Sequence, residues 1–352
     1  MKLRIDNLPV SLGASVLHWL AVFFVAIVCG AVTAGCFVGQ WFGGGDLPQI
    51  AYISSDGQHA QAWISEPGGD DPVSISPPNA VAKSIRWSPE QRYLAWVAGG
   101  DVPLLMLYDI ETKETQLLVS GVDESQPPVW APEADRIAYV SDAADSPDIY
   151  MVELGTGDQT RLTFSDEREK IGDWSPDGQW LVFTQEGRDG LLLRNPTGVN
   201  LIELTDGQDD NPLWSPKGDR IAFLRDTGEG QDIYVLRPTK DDWADDTDEL
   251  AVADTEYDET DPSWSGDGRR LAFVVHFDDQ SEIFTVLVDG SERKQLTYNT
   301  ANDLMPDWSQ SGDKIVFVSL AYGNPEILYM NRDGTEQTRL TTSEGADTQP
   351  DW

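Results

Sequence analysis

Carboxylates recur at fixed places in this chain, ahead of one tryptophan after another. The clusters are Asp123 and Glu124; Glu169 and Asp173; Asp209 and Asp210; Asp258 and Asp261; Asp303 and Asp307; Asp347 and Asp351. Carboxylates that converge from several segments hold a hard cation such as calcium or attract a basic peptide segment. The competing reading is structural, because Asp caps turns and starts strands. We take Asp173, Asp210, Asp261, Asp307 and Asp351 as candidate partner-binding residues. Trp243 joins them as an aromatic set among acids: residues 241–261 hold 11 acidic positions out of 21. That stretch reads as a solvated acidic loop. It lacks the glycine at the sixth place and the glutamate at the twelfth that an EF-hand needs.

Other chemistry is sparse. The histidines are His18, His59 and His276, and the cysteines are Cys29 and Cys36. After Cys36 there is no thiol, which excludes a disulfide framework, a cysteine zinc site or a catalytic cysteine there. At most two imidazoles from distant segments could meet on a zinc ion. His59 and His276 read as ordinary loop residues. The chain has no G-x-S-x-G elbow, P-loop, G-x-G-x-x-G or H-E-x-x-H. No recognisable catalytic constellation emerges, so an enzyme is not expected, and no cofactor is implied beyond calcium.

Charge narrows the partners. The 352 residues carry 24 Lys+Arg against 61 Asp+Glu, a formal net charge of −37. Nucleic acid is excluded as a partner, since phosphate binding needs a basic patch. With 40% apolar residues and 13 Trp, the chain can still build a packed core.

Asn7 to Gly45 contains no charged residue, and Trp19–Val38 is the most apolar part. Twenty residues at about 1.5 Å each reach about 30 Å, a bilayer core. Lys2 and Arg4 precede the segment and Asp46 follows it, which places the N-terminus inside and the remainder outside the cytoplasm. The expectation is a cytoplasmic N-terminus at 1–14, a transmembrane signal anchor at 15–41, a Gly-rich linker at 42–46 and one domain at 47–352. A cleaved signal peptide is one alternative. The other is a lipoprotein signal at Thr33-Ala34-Gly35-Cys36, which would make Cys36 the lipidated residue. The acidic domain is extracytoplasmic in each case, periplasmic or at the cell surface.

The elements that must position the carboxylates come from a repeat. Trp87, Trp130, Trp174, Trp214, Trp264, Trp308 and Trp352 are spaced by 43, 44, 40, 50, 44 and 44 residues, the period of propeller blades. After the Trp-Ser-Pro of the repeat, or Trp-Ser-Gly and Trp-Ser-Gln in two units, comes a turn, with Gly178, Gly218, Gly268 and Gly312 at one offset. Gln91 and Ala134 replace that glycine in the first two units, so those turns are expected to differ. A second, apolar strand follows, such as Ile315–Val318, then a third, such as Ile149–Val152, and a fourth ending in Leu-Thr. Four strands make a blade. Second strands begin near Ile50, Leu94, Ile137, Leu181, Ile221, Leu271 and Ile315, which is seven. The first has no Trp strand before it and Trp352 has nothing after it, so Gln349–Trp352 should pair with Ile50–Ser54 and close the ring. The fold class is all-β, a seven-bladed propeller with terminal-strand closure, preceded by one transmembrane helix.

The unit P-x-W-S-P-D-G-x-x-I-A-F…I-Y-V…L-T resembles the TolB-type, WD-like propeller family, over essentially all of the chain after the anchor. The resemblance implies partner binding at an end face and channel mouth. The function expected is a membrane-tethered module that binds an envelope or membrane protein. The alternatives are a small-ligand or metal-binding propeller, and an enzyme acting on polysaccharide or peptide. Some TolB-like sequences resemble oligogalacturonate lyases, which use a metal and channel histidines; the two histidines here fall in different blades.

Overall fold

The computed structural model describes residues 49–68, 72–143, 147–197, 200–238, 243 and 247–352. The anchor, its linker, Cys29 and Cys36 lie outside these residues. Among the described residues every regular element is a strand, and no helix is long and apolar enough to cross a membrane. The unit Asp46–Trp352 forms one compact body.

Twenty-eight strands make seven four-stranded antiparallel sheets. The closing blade comprises β1 (Ile50–Ser55), β2 (Ala60–Ser65), β3 (Val73–Ser74) and, innermost, β28 (Ala346–Asp351). Ala51 faces Asp351 and Ser55 faces Ala346, so the two ends of the domain pair as the split repeat requires. The other blades are consecutive. They are β4–β7 (82–120), β8–β11 (129–161), β12–β15 (169–203), β16–β19 (208–253), β20–β23 (258–295) and β24–β27 (303–339). Their inner strands are β4 (Ala82–Trp87), β8 (Val129–Trp130), β12 (Glu169–Trp174), β16 (Gln208–Trp214), β20 (Asp258–Trp264) and β24 (Asp303–Trp308).

Second strands are apolar on both faces because each blade is covered by a neighbour on either side. The core divides accordingly into seven clusters, each spanning two adjacent blades. One joins Ala51, Ile53 and Ile64 to Ile85, Leu94 and Trp96; another joins Ile50, Tyr52 and Trp352 to Val316 and Val318. Phe183, Phe223, Phe273 and Phe317 occupy equivalent places and are fully buried. Each contributes about 1.5–3 kcal/mol of transfer free energy.

Three expectations change. The turns at Gln91 and Ala134 do not differ from the glycine turns. Gln91 has φ 54° and Ala134 φ 53°, against 64–72° for the four glycines. The same bond closes them, from Gln91 N to Ser88 O at 2.8 Å and from Gly178 N to Ser175 O at 2.8 Å. The surrounding hairpin imposes the left-handed conformation, at a cost of about 1–2 kcal/mol for a residue with a Cβ. The Leu-Thr pairs lie just beyond short outer strands rather than ending them. Their threonine hydroxyls accept third-strand N–H groups: Ile149 to Thr163 at 2.8 Å, Ile283 to Thr297 at 2.9 Å and Ile327 to Thr341 at 2.9 Å. Finally, the acidic stretch 241–261 is mostly ordered blade. Thr247–Ala253 is the outer strand β19 and Asp258–Trp264 is β20, with Glu249 paired to Arg225 and Asp248 to Arg237.

Candidate functional site

Six of the inner strands, with the segment 124–127 ahead of β8, line an open cavity of about 770 Å³. Asp173, Asp261, Asp307 and Asp351 line it; so do Lys83 and Arg86 from β4, and Glu124. Asp210 is not among its lining residues. It is half exposed and bound to Lys170 Nζ at 2.6 Å. Trp243 packs edge-on against Trp214, with ring centroids 4.7 Å apart, and is partly buried in a blade-to-blade core.

Three of the lining carboxylates work as clasps between blades. Each stands immediately before its tryptophan. Asp173 Oδ2 accepts from the Trp214 N–H at 3.0 Å, Asp307 Oδ2 from the Trp352 N–H at 3.0 Å and Asp351 Oδ2 from the Trp87 N–H at 2.6 Å. Asp307 Oδ1 also accepts from Ser263 Oγ at 2.8 Å. Two of these clasps tie the closing strand to its neighbours on both sides. Burial pushes Asp173 up to about 6 against its backbone hydrogen bonds. Burial pushes Asp351 up to about 6 as well, with Arg86 opposing and Asp307 adding to the rise. Asp307 and Asp261 are likewise raised by burial.

A second set of lining residues joins Asp261 to three positions outside the sequence-based candidates. In β16, β20, β24 and β28 the residue three before the tryptophan has a left-handed backbone: Asn211 (φ 50°), Asp261 (φ 51°), Met305 (φ 53°) and Gln349 (φ 53°). The pairing with the second strand shifts register around each of these positions, as bulges do. All four line the cavity. The available signal was the proline that follows each one, Pro212, Pro262, Pro306 and Pro350.

Acids at the other end of the inner strands are buried and face a neighbouring blade. Glu169, Asp209, Glu259, Asp303 and Asp347 are at most 9% exposed. Arg161 meets Asp148 at 2.5 Å, Arg225 meets Asp209 at 2.6 Å, Arg293 meets Glu259 at 3.1 Å and Arg339 meets Glu326 at 2.6 Å. Burial lifts Glu259 to about 7, with Arg293 opposing.

His276 bridges the hydroxyls of Thr260 (2.7 Å) and Ser281 (2.9 Å), while His59 lies at a hairpin beside Asp56. Neither lines the cavity. Among the described residues no three or more His, Cys, Asp or Glu gather around a common metal position.

The TolB beta propeller domain model matches residues 44–244 and 211–352, and the chain belongs to that family. Curated relatives include an uncharacterised peptidase of Bacillus subtilis, 29% identical over 50% of this chain and 26% of that protein. A TolB homolog of Chlorobium luteolum is 31% identical over 40% of this chain and 31% of its own length. The chain thus spans about a quarter to a third of these two relatives. Among solved structures, oligogalacturonate lyase from Vibrio parahaemolyticus superposes with TM-score 0.63 at 14% identity, covering 80% of this chain and 85% of that one. At that identity the likeness concerns the fold alone.

Proposed function

We propose that this propeller is an extracytoplasmic binding module of the cell envelope, tethered by residues 15–41 acting as a transmembrane signal anchor, and that it grips a polypeptide segment of a membrane or envelope protein in its central cavity. One observation carries the reading. Four blades repeat the same strained bulge, yet present four different side chains to the cavity: an amide, a carboxylate, a thioether and a second amide. Backbone strain of this kind clusters at ligand clamps, and structural packing alone would favour like residues at like positions. Lys83 and Arg86 lie on the same wall system as the carboxylates, so the cavity offers both signs of charge to a polar segment and orients it. The membership in the TolB family and the named TolB homolog support a binding role.

Site-specific photo-crosslinking in intact cells tests this. A crosslinker at Met305 or Gln349 should trap a discrete partner polypeptide, and one at the outer-strand residue Leu117 should not. Equal trapping from both places, or none from the cavity, would overturn it. Protease digestion of the propeller in opened envelopes, with intact inner membranes, tests the topology.

The peptidase relative and the lyase neighbour motivate the second reading, an enzyme acting on peptide or polysaccharide. It would need cavity groups free to exchange protons, whereas Asp173, Asp307 and Asp351 are engaged by tryptophan N–H groups. Hydrolysis or elimination abolished by His276→Ala would favour the enzyme.

A further inference from the structure

Four blade junctions repeat one buried motif, and one of the four is missing its cation. At each, an acid opening a third strand faces an acid opening the next inner strand: Asp148 with Glu169, Asp232 with Glu259, Glu282 with Asp303, and Glu326 with Asp347. Every one of these eight side chains is at most 4% exposed. Arginine compensates three junctions, through Arg161, Arg293 and Arg339. Arg161 and Arg339 stand two residues before the junction threonines Thr163 and Thr341. The equivalent residue before Thr297 is Gln295, and its amide turns to the Thr297 carbonyl at 2.7 Å. No ion pair reaches Glu282 or Asp303 among the described residues.

The junction is also short of hydrogen bonds. Both carboxylate oxygens of Glu282 and Oδ1 of Asp303 are buried without a partner. The Thr297 hydroxyl and the Asn299 N–H lie near Glu282, and the Ser319 and Thr297 hydroxyls near Asp303, but outside good hydrogen-bonding geometry. Asn299 donates to Asp303 Oδ2 at 2.6 Å. Burial, then the facing Asp303 charge, raises Glu282 above its ordinary value, and burial raises Asp303. Two uncompensated buried carboxylates are costly. An open pocket of about 460 Å³ is lined in part by Gln295 and by Asn299, whose amide contacts Asp303.

We propose that the Glu282–Asp303 junction is a binding site for a hard divalent cation of the calcium class, taking the place that arginine fills at the sister junctions. The oxygen donors are the two carboxylates and the neighbouring Thr297 and Ser319 hydroxyls; oxygen ligands are what calcium prefers, with water completing its shell of about six to eight. A divalent ion neutralises the pair's two charges in one step.

The test uses the full chain and calcium chloride alone, at constant ionic strength and pH 7.5, with thermal unfolding and titration calorimetry. Wild type should melt a few degrees higher in millimolar calcium, since a ligand that binds only the folded state stabilises it, with one saturable site. Gln295→Arg should supply the sister junctions' guanidinium. It should melt higher than wild type without calcium and lose the calcium-dependent rise. Glu282→Gln, nearly isosteric, should also lose the rise. No calcium effect on wild type would overturn the proposal, and would mean the pair is satisfied by a shared proton. An undiminished calcium effect in both variants would overturn it too, assigning the ion to the acidic surface.

Discussion

The inner strands carry acids at both ends, and the two ends use them oppositely. Just before the tryptophans, Asp173, Asp307 and Asp351 face the cavity and hold backbone N–H groups of the next blade. At the start of the same strands, Glu169, Asp209, Glu259, Asp303 and Asp347 are buried between blades, four of them opposite a second carboxylate. The first kind is held by backbone N–H donors, with the Arg86 guanidinium 3.9 Å from Asp351. The second is balanced by a guanidinium at four of its five places, Asp303 being the exception among the described residues. The same side chain is thus a backbone latch at one end and half of a charge balance at the other.

The largest way to break the contrast is to remove a guanidinium. Arg339→Met should leave Glu326 and Asp347 uncompensated and cost about 3–5 kcal/mol, read from urea unfolding. A cost below 1 kcal/mol would show that the pair tolerates burial without its cation. Next, Asp173→Ala orphans the Trp214 N–H, with an expected loss of about 1–3 kcal/mol. Asp173→Asn, which keeps an acceptor oxygen, should recover most of it. If both substitutions cost the same, the clasp is not what Asp173 contributes.

Acidity sharpens the comparison from both ends at once. Asp173 and Asp351 are raised by burial from 3.8 to about 6, and Glu259 from 4.5 to about 7. The folded protein therefore holds protons that the unfolded chain releases. The stability they confer is fully present below the unfolded values and is lost as pH rises through about 6 to 7. The melting temperature should rise as pH falls from 8 to 5, the direction in which the net charge of −37 also relaxes. A calorimetric series showing a steady fall over that range would contradict the burial of these groups. The smallest effect is expected at the first blade's turn. Gln91→Gly should raise stability by no more than about 1 kcal/mol by relieving a left-handed side-chain position, offset by the glycine's entropy.

The repeat made the fold legible before any coordinates. Seven tryptophans in register, the glycine turns and the split unit at the two ends led to seven blades and to the pairing of Gln349–Trp352 with the first strand, which β28 and β1 form. The site was legible only in part. Asp173, Asp261, Asp307 and Asp351 do reach the cavity, because the residues before each tryptophan follow one alternation around the ring. Asp210 does not: it stands four residues before Trp214, an offset that lines the cavity in none of the four bulged strands, and its carboxylate meets Lys170. Asn211, Met305 and Gln349 were passed over because their types differ, whereas their shared feature is a backbone angle that no composition reveals. Trp243 read as an aromatic among acids, but its ring meets Trp214 through a contact between segments distant along the chain.

By itself the sequence determined the blade number, the closure, the family and the confinement of thiols to the N-terminal segment, because these follow from period and residue type. Only the tertiary structure decided which carboxylates are latches, which are buried partners of arginine, and which single pair was left without one. Those roles depend on what the adjacent blade brings within about 3 Å, and adjacent blades meet through residues roughly forty positions apart, beyond the reach of any local pattern.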